Sequence, residues 1–246
     1  MTDLSEVTKR RLCTDRSKLR RRVAAIVGAV LLFSCPLHMA RASLDADTTT
    51  EPEQVTPPRF SSTLEGAIQQ AAERYGVLES TLRAFAAIES GGRPRVSTGS
   101  YHGVFQLSYN LFRKYGGHGS IFDPKQNTEA AARKFRAEMD AFRVRFGYEP
   151  SDVELYMMHQ QGSGGAAMHI SQPDLPAWQN MYRTAEGQKR GEAWARRAIW
   201  GNVPTDQRAR FPAGVDSITS REFMEIWARR MARFGGGDTV AAYTPG

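Results

Sequence analysis

Cysteine is nearly absent: the 246-residue chain has two, Cys13 and Cys35, both within its first 35 residues. The rest of the chain therefore has no disulfide framework, no cysteine–zinc site and no cysteine nucleophile. His102, His118, His159 and His169 are scattered without ligand spacing, so neither a metal nor another cofactor is expected. Alternating polar and apolar runs longer than a few residues are missing, as is any internal repeat, which leaves a mainly α fold. Excess charge is missing too, once the start of the chain is set aside. The formal net charge is +7, but residues 1–42 hold nine of the 33 Lys and Arg and only three of the 26 acids. From Ser43 onward 24 basic residues face 23 acidic ones, so a nucleic-acid partner is not expected.

The basic start has the order of an export signal. Arg20-Arg21-Arg22 ends a basic region, Val23 to Phe33 is apolar, and Ala40-Arg41-Ala42 is a small-x-small cleavage site. The apolar run would rise only about 16 Å as a helix, short of a bilayer core of about 30 Å. A signal peptide over 1–42, a periplasmic mature protein and no stable membrane span after cleavage are the expectation. An uncleaved anchor, or a lipid on Cys35 in Leu32-Phe33-Ser34-Cys35, is the alternative. Residues 43–60 are polar and proline-rich, which suits a flexible linker.

Helical spacing takes over from there, and a composition 41% hydrophobic suffices for one good-sized core. Ser62 is placed to cap a helix with Leu64, Ala67, Ile68 and Ala71 on one face and Gly76 as its stop. Ser80 is placed to cap a second, with Leu82, Phe85, Ala86 and Ile88, ending at Glu89-Ser90-Gly91-Gly92. A Gly- and Ser-rich loop leads to a short apolar stretch, Val104 to Leu107. Asn127 or Thr128 begins a long helix through Phe135 and Phe142 to Gly147. Ser151 and Glu154 form a capping box for a helix through Tyr156, ended by Gly162. Thr219 and Glu222 form another, with Phe223, Ile226, Trp227 and Met231 as its buried stripe. Trp178, Trp194 and Trp200 serve either as cleft lining or as packing. The expected domains are residues 61–170, a helical extension over 171–237 and a loose tail over 238–246.

Glu89 stands out chemically. Partial negative charge at a helix C-terminus and the apolar neighbours Phe85 and Ile88 both favour a protonated carboxyl, as a general acid at neutral pH requires. Spacing alone favours a surface glutamate at a fraying helix end.

The wider pattern is more specific. Glu89-Ser90-Gly91-Gly92, followed by Gly103-Val104-Phe105-Gln106, resembles the SLT family of lytic transglycosylases, which shares the goose-type lysozyme fold. In that family a Glu-Ser pair closes a helix and a Gly-Leu-Met-Gln element follows. Tyr75-Gly76-Val77 before the acid and Asp123-Pro124 with Asn127 after it also fit, so the resemblance covers roughly residues 62–170. The family's Ala-Tyr-Asn-Ala-Gly element is altered here to Met158-His159-Gln160-Gln161-Gly162, closer to muramidases with a His-Gln-Gln-Gly segment. The resemblance implies a lysozyme-like helical domain with Glu89 catalytic. Ser90, Phe105, Gln106, His159 and Gln160 would contact the substrate or order the site, with His159 in place of the tyrosine that orients the acid. Ser90 also reads as a helix cap, Phe105 as core and Gln106 as a loop staple.

No second carboxylate has a comparable signature, although glycosidases usually pair two. The resemblance implies a single Glu acting as acid, then base, on the MurNAc–GlcNAc β-1,4 bond of peptidoglycan, with a 1,6-anhydro product. A lysozyme-like hydrolase on the same fold, or an inactive peptidoglycan-binding scaffold of an envelope machine, are the alternatives. Export with a tether also suggests a secretion or cell-envelope apparatus as partner.

Overall fold

The computed structural model describes residues 59–236. The expected signal peptide with Cys13 and Cys35, most of the 43–60 linker and the 238–246 tail lie outside the described residues. Among those described the fold is mainly α. Helix α1 spans Ser62–Tyr75 and α2 spans Glu79–Ser90. Three two-residue strands follow, β1 (Ser97–Thr98), β2 (Tyr101–His102) and β3 (Leu107–Ser108), antiparallel in the order β1-β2-β3. Then come α3 (Tyr109–Lys114), α4 (Pro124–Phe146) and α5 (Asp152–Ser171). The remainder comprises α6 (Ala177–Arg183), α7 (Ala185–Arg190), α8 (Glu192–Trp200), 3-10 turns over Thr205–Arg210 and Gly214–Ser217, and α9 (Ser220–Arg233).

Local signals explain most boundaries. The α1 stripe of Leu64, Ala67, Ile68 and Ala71 is buried, but its cap is Ser61, whose side chain accepts from the Leu64 amide. In α2 the expected cap fails. Leu78 occupies the N-cap without a side-chain bond, and Ser80 lies inside the first turn. Thr81 anchors that end instead, donating to Asp152 Oδ1 at 2.6 Å and so tying α2 to the start of α5.

The long helix also starts earlier than expected, at Pro124 with Asp123 as cap. Proline at the first helical position forgoes an N–H that has no helical partner there, and Asp123 Oδ1 accepts from the Gln126 amide at 2.9 Å. Asn127 and Thr128 are buried inside the helix. The Asn127 amide reaches across to the loop, accepting from the Phe105 N–H at 2.8 Å and donating to the Ile121 carbonyl at 3.0 Å.

Both capping boxes form, at Ser151–Glu154 and Thr219–Glu222. Gly162 does not end the helix as expected. It breaks it, with φ 72° and ψ 163°, and the helix resumes as far as Ser171. That backbone region is open essentially to glycine alone. The second half continues because it has its own apolar face, with Ala166, Ala167 and His169 buried.

The C-terminal helices share the hydrophobic core of the preceding ones. Trp227 of α9 packs on Tyr156 of α5 with ring centroids 4.9 Å apart. The Ala177 amide donates to the Ile218 carbonyl at 2.8 Å, drawing the start of α6 to the start of α9. Trp178, Trp194 and Trp200 are partly buried against the core, each with an arginine over its ring: Arg196, Arg190 and Arg208. No helix among the described residues is long and apolar enough to cross a membrane.

Candidate active site

Glu89 occupies the last turn of α2, and the chain turns away at Gly91, in the left-handed conformation at φ 64°. The amides of Gly91 and Gly92 close the helix on the carbonyls of Ala87 and Ala86, at 3.1 and 3.0 Å. This leaves the Glu89 side chain at the helix end, 17% exposed. A substrate can reach it, yet protein surrounds most of it.

The group that orients Glu89 is Tyr156. Its hydroxyl donates to Glu89 Oε1 at 3.0 Å. Reading the sequence missed this role, because Tyr156 fits the apolar stripe of α5 as a core aromatic. It is one, being 2% exposed and set edge-on to Phe85 at 5.1 Å. Only its hydroxyl reaches the acid. Burial first, and then the Glu89 charge, hold the phenol well above its ordinary pKa, so it stays a donor.

His159, expected in the tyrosine's place, is a second neighbour of the same oxygen. Its Nε2 lies 3.6 Å from Glu89 Oε1, an electrostatic contact rather than a hydrogen bond. Its ring packs against Phe85 and Phe135, themselves 4.6 Å apart, at centroid distances of 5.6 and 5.4 Å. Gln160 backs the tyrosine, donating from Nε2 to the Tyr156 hydroxyl at 3.4 Å, and accepts from Gln161 Nε2 at 3.0 Å. Tyr156, His159 and Gln160 stand three and four positions apart, so one face of α5 presents all three. Among the described residues, the side chains that hydrogen-bond or ion-pair with Glu89 are this phenol and this imidazole.

Three expected substrate contacts have other roles. Phe105 is fully buried and meets Phe135 edge-on at 6.0 Å, so it is core and no sugar platform. Ser90 is 3% exposed and donates to the Ala86 carbonyl at 3.3 Å, closing the helix. Gln106 is 6% exposed, and its Nε2 donates to the carbonyls of Gly103 at 2.8 Å and Val96 at 3.2 Å. Among the described residues it is the only non-glycine with positive φ, at 45°. Its side chain staples the loop that the strained turn bends back, and Asn127 holds the other side of that loop.

Two further groups join the site from outside the motif. Lys134 of α4 is buried, donating to both oxygens of Glu138 at 2.7 Å, and its Nζ lies 3.1 Å from His159 Nδ1. Burial lowers its pKa, opposed by the attraction of Glu138 and, more weakly, Glu89. Beside them an open pocket of about 340 Å³ is lined by Lys114, Tyr115, Lys134, Glu138, Met158 and His159 among others. Tyr101 of β2 is linked to the site by charge alone. Burial raises its pKa, Glu186 of α7 and Glu89 add to the rise, and Arg190 opposes it. The α7 segment of the extension therefore lies within electrostatic reach of the phenol that also senses the acid. Among the described residues no cluster of three His, Asp or Glu side chains is arranged to hold a metal ion.

This arrangement suits proton transfer to and from a bound molecule: one partly shielded carboxyl, a phenol and an imidazole beside one of its oxygens, and a fixed loop nearby. Comparison with curated proteins gives no match. Comparison with family models matches residues 66–164 to the family described as Transglycosylase SLT domain. The match takes in Glu89, the Gly103 to Gln106 turn, Tyr156 and His159, and stops before α6. Residues 66–164 of this chain form a transglycosylase SLT domain, of the SLT-type lytic transglycosylase family.

Proposed function

We propose that the chain is a peptidoglycan lytic transglycosylase that cuts the MurNAc–GlcNAc β-1,4 bond with Glu89 as its single acid and base. The observation that carries this reading is a partly shielded Glu89 whose Oε1 is held by the Tyr156 phenol, with both residues inside the matched SLT segment. The protonated Glu89 gives its proton to the glycosidic oxygen as the bond from that oxygen to C1 of the muramyl residue breaks. The N-acetyl carbonyl of the same sugar supports the positive charge at C1, the substrate-assisted route that departs from the two-carboxylate rule. Glu89, now a carboxylate, takes the proton of the muramyl 6-hydroxyl while O6 bonds to C1. The 1,6-anhydro ring closes, Glu89 is protonated again, and no water is consumed. Tyr156 holds Oε1 throughout, which leaves Oε2 to face the sugar.

A periplasmic location, and the envelope apparatus that such a tethered enzyme would serve, rest on the leader and the polar 43–60 segment alone. Mass spectrometry of purified peptidoglycan digested by the protein tests the activity. Muropeptides ending in 1,6-anhydro-MurNAc are the expected product. Reducing ends would make it a hydrolase on the same site, and intact strands would make it a binding scaffold.

A further inference from the structure

We propose that Lys134 is a positioning residue that fixes the tautomer of His159, placing the imidazole proton on Nε2 and aiming it at Glu89. The inference rests on the reading of Glu89 as the acid, and it adds a line of support behind that acid, from α4 through α5 to α2.

An ammonium group has three N–H donors and no acceptor. Two of those donors are accounted for by the two oxygens of Glu138, both 2.7 Å away. The third faces His159 Nδ1 at 3.1 Å. Next to a group that can only donate, Nδ1 must accept, so its lone pair is free of a proton and the ring hydrogen sits on Nε2. That is the nitrogen nearest the acid, 3.6 Å from Glu89 Oε1. The ring also packs against the Phe85–Phe135 pair, at centroid distances of 5.6 and 5.4 Å. Tyr156 and His159 then address the same carboxylate oxygen, one by hydrogen bond and one by its N–H dipole. Oε2 is left as the oxygen that exchanges the proton with substrate.

The Lys134–Glu138 pair is the observation that calls for a role. Its side chains are 5% and 13% exposed, whereas the other i,i+4 pairs on α4, Arg133–Glu129 and Arg136–Asp140, are far more open. A buried ion pair contributes little net stability, since desolvation offsets the attraction, and is retained where it fixes an arrangement. Here Glu138 fixes Lys134, and Lys134 fixes His159. Lys114 on α3 is the other cation near Lys134 and lines the same open pocket.

The test is ¹⁵N NMR of the imidazole nitrogens of His159 in the whole protein at neutral pH, beside turnover on peptidoglycan. Wild type should show the Nε2–H tautomer. Lys134→Met combined with Glu138→Gln removes the ammonium without leaving a buried carboxylate unpaired. It should admit the Nδ1–H tautomer and lower kcat about tenfold or more at unchanged KM, the cost of misplacing a catalytic neighbour. Lys134→Arg, which also only donates, should keep Nε2–H. An Nδ1–H tautomer in wild type would mean that Lys134 is a neutral amine accepting from the ring, and would overturn the proposal. So would an unchanged tautomer in the double variant. A wild type with Nε2–H but no cleavage of peptidoglycan would instead overturn the proposed activity and leave the placement standing.

Discussion

Two histidines on one helix differ in everything but their identity. His159 lies before the break at Gly162 and His169 after it. The first has an ammonium at 3.1 Å, a carboxylate at 3.6 Å and an open pocket beside it. The second is fully buried, with Nδ1 2.7 Å from Ser220 Oγ, which also accepts from Asn180 Nδ2 at 2.9 Å. Its ring lies against Phe223 of α9. In the half of α5 before Gly162, His159 and Gln160 are part-exposed and serve the acid, on a stretch whose Leu155, Tyr156 and Met157 are core. The half after it faces the core and fastens α6 and α9. Histidine suits both places because it presents an apolar ring with a polar edge, and the neighbours decide which property matters.

The largest effect belongs to the acid on α2 that the first half serves. Glu89→Gln keeps the shape of the side chain and its contact with Tyr156 but removes the transferable proton. Cleavage of purified peptidoglycan should fall about 10³-fold, within the range for a general acid–base, with the melting temperature nearly unchanged. A variant within tenfold of wild type would end the claim that the side chains around Glu89 serve the chemistry.

Next comes the second half, read through acid stability. Burial pulls the His169 pKa from 6.5 to about 4. As pH falls below 6.5 the unfolded chain takes up this proton and the folded one does not. The unfolded state then binds more protons, so stability is full above pH 6.5 and is lost as pH falls toward 4. The loss runs at about 1.4 kcal/mol per pH unit and totals about 3 kcal/mol. Urea unfolding at pH 7, 6 and 5, with His169→Asn as the reference, measures it. Equal slopes in the two proteins would show that His169 does not carry the acid sensitivity.

Tyr156→Phe should cost about 10²-fold in kcat, the loss typical of one donor aimed at a reacting group, while KM holds. Its ring would still fill the core against Phe85 and Trp227, so stability should change by about 1 kcal/mol, the worth of one hydrogen bond. Comparable losses in kcat and in stability would blur the line between the two halves, because the phenol would then be a core group first.

How much of this the sequence discloses depends on how local each cause is. Capping boxes at Ser151 and Thr219, and the stops at Gly76 and Gly147, are decided by residues within one turn, and the structure has them as read. Asn127 misleads because its amide looks like a cap but is held by the Phe105 loop, 22 residues away. Glu89 is legible through the order of several motifs, not through its own surroundings. Tyr156 is hidden because periodicity shows which face is buried and is silent on where one hydroxyl points. Lys134 is hidden for the opposite reason. A Lys and a Glu four apart on a helix look like a solvated pair, and only the packing of α5 against α4 buries them. Phe105 and Ser90 went the other way, since an element shared with a family places a residue near a cleft without saying which way its side chain turns.

The smallest expected effect tests the boundary itself. Gly162 adopts φ 72° and ψ 163°, and a Cβ added there would meet no atom within 4 Å. Gly162→Ala therefore costs backbone strain alone, about 1–3 kcal/mol for a residue held in so sparse a region. Relaxing that strain would straighten the helix, and the two histidines cannot then both keep their partners. His169 is fixed by Ser220 and by the core around it, whereas His159 borders an open pocket, so the strain should be relieved on the His159 side. Turnover should fall severalfold, while the difference in acid slope between this protein and its His169→Asn derivative stays as in wild type. If the acid slope changes and turnover does not, the break at Gly162 serves the core and not the site.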